Sequence, residues 1–299
     1  MQFQKAVRMK SYLRLGLTGP SGAGKTYGAL LIAKGIGGKI AVIDTESGSA
    51  SLYAGLADFD VLELAPPYKP ERFIEAIEAA QKAGYDVLII DSLSHEWNGK
   101  GGILEMLDEV AAARFRGNTW SAWSELTPRH RAMIDFIVRS KMHIICTLRS
   151  KTETAQVDDG GRKKVAKLGM KAEQRDGIEY ELTTVLDLVH DGHFAMASKD
   201  RTGLFTGKDP QKITPETGSR LLEWLNSGKE MLPTAEQLKS VGEALMATAT
   251  ATGKTATELV DALKAKFAVA SSRDLTASQA DEAIRWLAEQ AHKAEPVDL

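Results

Sequence analysis

The chain has 299 residues, 43% of them hydrophobic and 26% charged, with a formal net charge of −2. That length holds one sizeable core and a small second unit, and the near-neutral charge excludes a surface coated in basic residues, so any nucleic-acid contact has to be local. The single Cys146 excludes an internal disulfide and a multi-cysteine metal site, no apolar run reaches membrane-spanning length, and Met1 to Lys10 lacks a secretory apolar segment, so a cytoplasmic protein with no membrane partner is expected.

In chain order, Leu13–Thr18 predicts a strand running into Gly19-Pro20-Ser21-Gly22-Ala23-Gly24-Lys25-Thr26, and Tyr27 to Ile36 predicts the helix leaving it. The loop satisfies G-x-x-x-x-G-K-[ST] at every fixed position. Its glycines let the backbone curl so that successive N–H groups face a phosphate chain. Lys25 reaches the β- and γ-phosphates, and the Thr26 hydroxyl is a ligand for Mg²⁺. The following helix aims its positive end at the same anion. A nucleoside triphosphate with Mg²⁺ is therefore the expected ligand. Gly253-Lys254-Thr255 repeats only the end of the pattern: Thr248 stands where the first glycine belongs, and no strand precedes it.

Further strands are predicted at Ile40–Asp44, Val61–Leu64, Val87–Asp91 and His143–Leu148, with helices at Glu71–Ala83, Ile103–Phe115, Pro128–Ser140 and Pro215–Leu225. Thr184–His190 and His193–Ser198, around Asp191-Gly192, predict a hairpin. This alternation predicts an α/β domain with a mainly parallel central sheet. Cys146, inside an apolar run, reads as a buried, inert thiol. The composition changes after Trp224-Leu225-Asn226-Ser227-Gly228, and three helices follow behind capping boxes at Thr234/Gln237, Thr255/Glu258 and Thr276/Gln279. The expected organisation is an N-terminal tail or tether over 1–10, an ATPase core over 11–228 and a helical module over 229–299.

Val87-Leu88-Ile89-Ile90-Asp91 is an apolar strand ending in a carboxylate, which places Asp91 to hold Mg²⁺ directly or through water. Ser92 follows Asp91, so the Asp-Glu pair of many ATPases is absent and the water-orienting carboxylate has to come from elsewhere. Glu46, at the end of the strand after the loop helix, is the first candidate. An ordinary loop acid is the other reading of it, and Glu96 and Glu63 are lesser rivals.

The order of phosphate loop, strand-Asp-Thr-Glu and strand-Asp-Ser resembles the RecA-type recombinase core, from about Phe3 to Leu225. Within it, the chain looks like the short phage-encoded RecA-like P-loop ATPases of the Sak group, which are single-strand annealing proteins. Thr147-Leu148-Arg149-Ser150-Lys151 and Ser198-Lys199-Asp200-Arg201 carry the narrower likeness. The resemblance implies that Glu46 is the catalytic base and Asp91 the metal-side carboxylate. It implies that Thr147 and Arg149 sense the γ-phosphate. Lys199-Asp200-Arg201-Thr202-Gly203 resembles the Lys-x-Arg-x-Gly motif of RecA-type helicases, which implies that Lys199 and Arg201 reach a neighbouring subunit's nucleotide in a homo-oligomeric ring or filament. Phe3-Gln4-Lys5-Ala6 matches a four-residue oligomerisation tether of recombinases; a plain N-terminal strand or tail is the other reading.

Arg149 to Arg175 carries eight cations against four acids on a chain whose total is −2. The segment reads as a long polar loop, functional or disordered, with a turn at Asp158-Asp159-Gly160-Gly161. Its position after the strand that follows Asp91 is where RecA-like proteins carry a DNA-binding loop, so Arg162, Lys163, Lys164, Lys167 and Lys171 are candidates to pair with phosphates of single-stranded DNA. Trp120 and Trp123, at helical spacing, read as core rather than as stacking platforms for bases. The functions left open are ATP-dependent single-strand binding and annealing or recombination, a ring helicase or translocase motor, and a small-molecule kinase with the basic loop as lid. A nucleotide switch that barely hydrolyses ATP is a further option. The helical module is a candidate docking point for a single-strand-binding protein, and a bacterial host cytoplasm is the expected location if the protein is phage-encoded.

Overall fold

The computed structural model describes residues 5–159, 162–230 and 232–294; for 152–170 and 294 the description is of the backbone alone. Its strands are β1 (Arg14–Gly19), β2 (Ile40–Asp44), β3 (Asp60–Glu63), β4 (Val87–Asp91), β5 (His143–Asp159), β6 (Arg162–Ala172), β7 (Thr184–Leu188), β8 (Phe194–Asp200) and β9 (Gln211–Lys212). The helices are α1 (Lys25–Ile36), α2 (Pro70–Lys82), α3 (Ser94–Asn98), α4 (Ile103–Arg114), α5 (Thr119–Arg139), α6 (Ile178–Glu181), α7 (Pro215–Asn226), α8 (Ala235–Thr252), α9 (Ala256–Phe267) and α10 (Ala277–Ala294).

Every residue of β1, β2 and β4 is buried. Such strands are apolar on both faces because helices cover both sides of a parallel sheet. Alternation then sorts the side chains. Leu15, Leu17, Val42, Val87 and Ile89 share one core with Leu30 and Ile32 of α1 and Leu221 of α7. Ile43, Leu88, Ile90, Ile144 and Cys146 share the other with Phe73 and Ile77 of α2 and Met133 and Ile137 of α5. Burial pushes the Cys146 thiol up to about 12, so it stays protonated. On the first face α1 and α7 lie unusually close: a Cβ on Gly35 would fall 1.7 Å from Pro215 O, and one on Gly218 2.1 Å from Ile32 O.

The sheet order is β3-β2-β4-β5-β1-β7-β8-β9, parallel from β3 through β7, with β8 and β9 added antiparallel. The expected α/β class with a mainly parallel sheet is thus the fold of the core. β7 and β8 form the predicted hairpin, joined through a single turn over Asp191–His193.

Two expectations are corrected. The helix expected from Pro128 starts at Thr119, because the Asn118 side chain accepts the Ser121 N–H at 3.1 Å and Ala122 and Leu126 extend the buried stripe; Pro128 lies inside the helix. The basic segment expected as a loop is an antiparallel ribbon, with β5 and β6 paired from Ser150 opposite Ala172 out to Asp159 opposite Arg162. Backbone pairing holds it, so its sequence carries no apolar period.

Residues Tyr12–Leu225 form one compact unit, and the described residues before Tyr12 group with those after Leu225 in a second. There, the Lys10 N–H donates to Lys229 O at 2.7 Å and the Lys229 N–H to Arg8 O at 2.9 Å, so the N-terminal segment pairs with the start of the C-terminal one. Helices α8, α9 and α10 meet around Val241, Leu259, Leu263 and Leu287. Their three capping boxes all form, through Thr234/Gln237, Thr255/Glu258 and Thr276/Gln279. Gly253 ends α8 and Thr255 caps α9, so Gly253-Lys254-Thr255 is a turn between helices. Phe3 and Gln4 of the tether motif lie outside the described residues; Lys5 and Ala6 are exposed. Among the described residues no helix is long and apolar enough to cross a membrane.

One buried cation anchors the sheet's other end. The Arg14 guanidinium donates to Leu13 O and Met142 O at 2.7 Å, to Val138 O at 3.0 Å and to Ser140 O. Burial draws its pKa down to about 10. The nearby His143 falls to about 4, mainly through burial and then through Arg14; its neutral ring accepts the Leu13 N–H at Nδ1. Arg14→Ala strands several buried carbonyls at the end of α5, and we expect a loss of about 3–5 kcal/mol in urea denaturation. A loss below about 1 kcal/mol would mean that water replaces the guanidinium without cost.

Candidate functional site

Register brings the chemistry to one edge of the sheet. In the parallel pairs Asp44 lies opposite Asp91, Leu17 opposite Thr147, and Gly19 opposite Arg149. The ends of β1, β2 and β4 therefore meet beside β5, which runs on past them, at the edge where α/β proteins bind ligands.

After β1 the chain turns through Gly22 (φ 75°) and Gly24 (φ 89°), left-handed conformations that a side chain would strain. Gly24 begins α1 without a side-chain cap, which leaves the helix's first N–H groups for an anion. Lys25 Nζ donates to Gly19 O at 3.0 Å and Pro20 O at 2.9 Å, folding the side chain over the loop. Burial pulls its pKa below the ordinary range, opposed by Glu46 and Asp91.

Asp91 is buried at the end of β4. Its Oδ2 accepts the Thr26 hydroxyl at 2.6 Å, and Oδ1 accepts that of Thr147. Burial pushes its pKa up against those two hydrogen bonds, so the carboxylate gains from a cation beside it. Thr26 and Asp91 are adjoining hard oxygen donors, the set that holds a hydrated Mg²⁺ together with substrate phosphates. Thr147 is buried against Asp91 and serves to aim it. The Asp91–Ser92 peptide is cis.

The loop after β2 presents Glu46. Asp44 is buried and organises that loop: Oδ1 accepts the Glu46 N–H at 2.6 Å and Oδ2 the Ala50 N–H at 2.9 Å. Thr45 is pinned from several sides. Its hydroxyl accepts the Ser92 N–H at 2.8 Å and lies 2.7 Å from His95 Nδ1, while its carbonyl accepts the Tyr68 hydroxyl at 3.0 Å. Tyr68 stacks on His95 with ring centres 5.0 Å apart. Burial, then Arg149, lowers the His95 pKa, which favours a neutral ring. Glu46 Oε1 in turn accepts Arg149 Nε at 3.1 Å and Nη2 at 2.8 Å. Of the rival carboxylates, Glu96 is sealed between His130 Nδ1 at 3.0 Å and Gln174 Nε2 at 3.1 Å, and Glu63 is exposed on β3.

Ser21 to Gly28, Glu46, Asp91, Arg149 and Glu173 line a cavity of about 880 Å³. Its wall also includes Tyr27, Tyr53, His193 and Lys212, which sequence reasoning missed. Tyr27 and Tyr53 meet edge to face at 5.9 Å, and His193 Nδ1 lies 3.3 Å from Ala23 O. The exposed Tyr27 beside the phosphate loop was the available sequence signal; Tyr53 and His193 come from distant turns.

Lys199 and Arg201 come together, but not at this cavity. Lys199 Nζ and Arg201 Nη2 each donate to Tyr180 O at 2.8 Å, and Lys199 also reaches Glu179 O. Lys199 lines a separate cavity of about 550 Å³ with Thr18, Lys171 and Asp187. Arg162, Lys163, Lys164 and Lys167 lie on β6, with side chains outside the described residues. Lys171 Nζ pairs with Asp176 at 2.8 Å. The expectation of two core tryptophans holds only for Trp123, which stacks on Trp97 at 5.7 Å beneath Arg175. Trp120 is 86% exposed: it stands in the first turn of α5, ahead of that helix's buried stripe.

A family model described as an AAA domain matches residues 11–227. The chain belongs to that family. AAA domains of this kind are P-loop NTPases, so the match agrees with the loop, the Asp91 strand and the sheet. The AAA core of this chain binds and hydrolyses ATP, and the family generally uses Mg²⁺ with the nucleotide. No curated protein matches the chain.

Proposed function

We propose that this AAA-domain chain is a RecA-like, ATP-driven single-stranded-DNA-binding protein that promotes annealing or recombination, of the phage-encoded Sak type. The observation that carries the reading is the path of β5. The strand begins in the core, passes Thr147 and Arg149 at the ATP site, and continues without a break as one arm of the basic ribbon. DNA held on the ribbon and nucleotide held on the loop would then share one backbone. In the site, Lys25 and the loop amides bind the phosphates, Thr26 and Asp91 hold Mg²⁺, and Glu46 orients the attacking water. Mg²⁺ neutralises charge developing on the phosphates when bound.

Lys199 and Arg201 point to an assembly. Arg201 is exposed and Lys199 half-buried, and both are held on Tyr180 O, away from the chain's own phosphate cavity, which fits cations that serve a neighbouring copy. A ring helicase or translocase would use the same contact. We assign the module after residue 228 to partner docking, for instance on a single-strand-binding protein, and the Phe3–Ala6 motif to subunit tethering.

The test is ATP hydrolysis with and without single-stranded DNA, in wild type and in Arg162→Ala/Lys163→Ala/Lys164→Ala. Single-stranded DNA stimulates the wild type, with no small acceptor required. The triple variant binds DNA more weakly, and its log–log salt slope falls by about 2, at ~0.7 per neutralised contact. An unchanged slope moves the DNA site off the ribbon. Phosphate transfer to a small acceptor would replace the proposal with the kinase reading.

A further inference from the structure

Arg149 is paired with a carboxylate while it lines the cavity that takes a phosphate. Nε and Nη2 both fall on Glu46 Oε1, at 3.1 and 2.8 Å. The side chain nonetheless belongs to the phosphate cavity, which it lines with Lys25, Thr26 and Asp91. Its backbone is fixed at the mouth of the loop: Arg149 lies opposite Gly19, its N–H donates to Ser94 Oγ at 2.9 Å, and its carbonyl accepts the Glu173 N–H at 2.6 Å. Only the side chain is left to move. A guanidinium fork binds a carboxylate or a phosphate edge-on with similar geometry, but a γ-phosphate offers more charge and more oxygens.

We infer that Arg149 is a two-position residue of the ATP site, which clamps Glu46 in one position and holds the γ-phosphate in the other. On Glu46 it takes up one carboxylate oxygen, Oε1, and offsets the carboxylate's charge. On the γ-phosphate it frees that oxygen. A diphosphate has no γ-phosphate to draw the arginine across, so the carboxylate is released only when there is a bond to hydrolyse. Arg149 is then a positioning residue for Glu46 as well as a phosphate contact. This rests on the proposed role of Glu46 as base.

The exchange sets a measurable handicap. Breaking the half-exposed pair draws on the binding of triphosphate but not of diphosphate, and pairs of this exposure correspond to a discount of about 2- to 5-fold. The readout is the ratio Kd(ADP)/Kd(β,γ-imido ATP analogue), with Mg²⁺, for wild type, E46Q, R149A, R149K and E46Q/R149A. E46Q raises the ratio about 2- to 5-fold, because nothing then competes for the arginine. R149A lowers it about tenfold, and adding E46Q to R149A changes it no further. R149K keeps the charge without the fork and lies between, and it carries this arm if R149A does not fold. An E46Q effect of equal size with and without Arg149 would reduce the matter to repulsion between carboxylate and γ-phosphate, and overturn the exchange. So would a ratio unmoved by both arginine variants. These are binding ratios, whereas the role of Glu46 as base is read in turnover, so either idea can fail while the other stands.

Discussion

Lys25→Ala yields a folded chain that no longer retains ATP at concentrations saturating the wild type. The amine bridges the loop, touching Gly19 O and Pro20 O, and lines the phosphate cavity. Charge-assisted hydrogen bonds to two phosphates are together worth roughly 3–6 kcal/mol, or about 10²- to 10⁴-fold in Kd. The fold depends little on it, because the lysine lies on the cavity wall rather than among the apolar residues of either face of the sheet. Calorimetric titration with ATP and Mg²⁺, beside a thermal melt, separates loss of binding from loss of fold. Tight binding retained by the variant would remove the loop from the nucleotide site.

Glu46→Gln separates binding from chemistry. The amide keeps the size of the side chain and its place above Asp44, but it no longer draws a proton from water. Loss of a general base costs about 10²- to 10⁴-fold in turnover. Single-turnover phosphate release, started from a preformed ATP complex, reads that step alone, and ATP is expected to bind at least as tightly as in wild type. Normal turnover would transfer the role to another carboxylate. Glu173 would be the next to examine, because it lines the same cavity, whereas Glu96 is locked between His130 and Gln174.

The strands that frame the site were legible because they are buried on both faces. An unbroken apolar run such as Val87–Ile90 ending in Asp91 leaves few other readings. The phosphate loop was legible for the opposite reason: its backbone geometry demands glycine at fixed positions. The ribbon was not, since backbone pairing between β5 and β6 requires no apolar period and its polar sequence reads as loop. The start of α5 was obscured by Pro128, which resembles a first-turn proline, while the true cap is Asn118, nine residues after Glu109 of the preceding helix. The clamp on Thr45 was invisible for a further reason. Tyr68 and His95 are far apart in sequence and meet over Thr45 because β3 and β4 flank β2 in the sheet. Lys199 and Arg201 were legible as a pair, but not their shared seat on Tyr180.

Cys146 has a practical consequence. The chain's one thiol is enclosed on both sides of β5 and protonated across the usable pH range, with its pKa pushed up to about 12. To a maleimide or a spin-label reagent the protein is therefore a blank. A cysteine introduced at one surface position, on the ribbon or beside Lys199, would be the single labelled point in the chain. Distances between copies in the proposed assembly, or to a fluorescent oligonucleotide in the proposed DNA complex, can then be sought without first removing a native sulfur from the core.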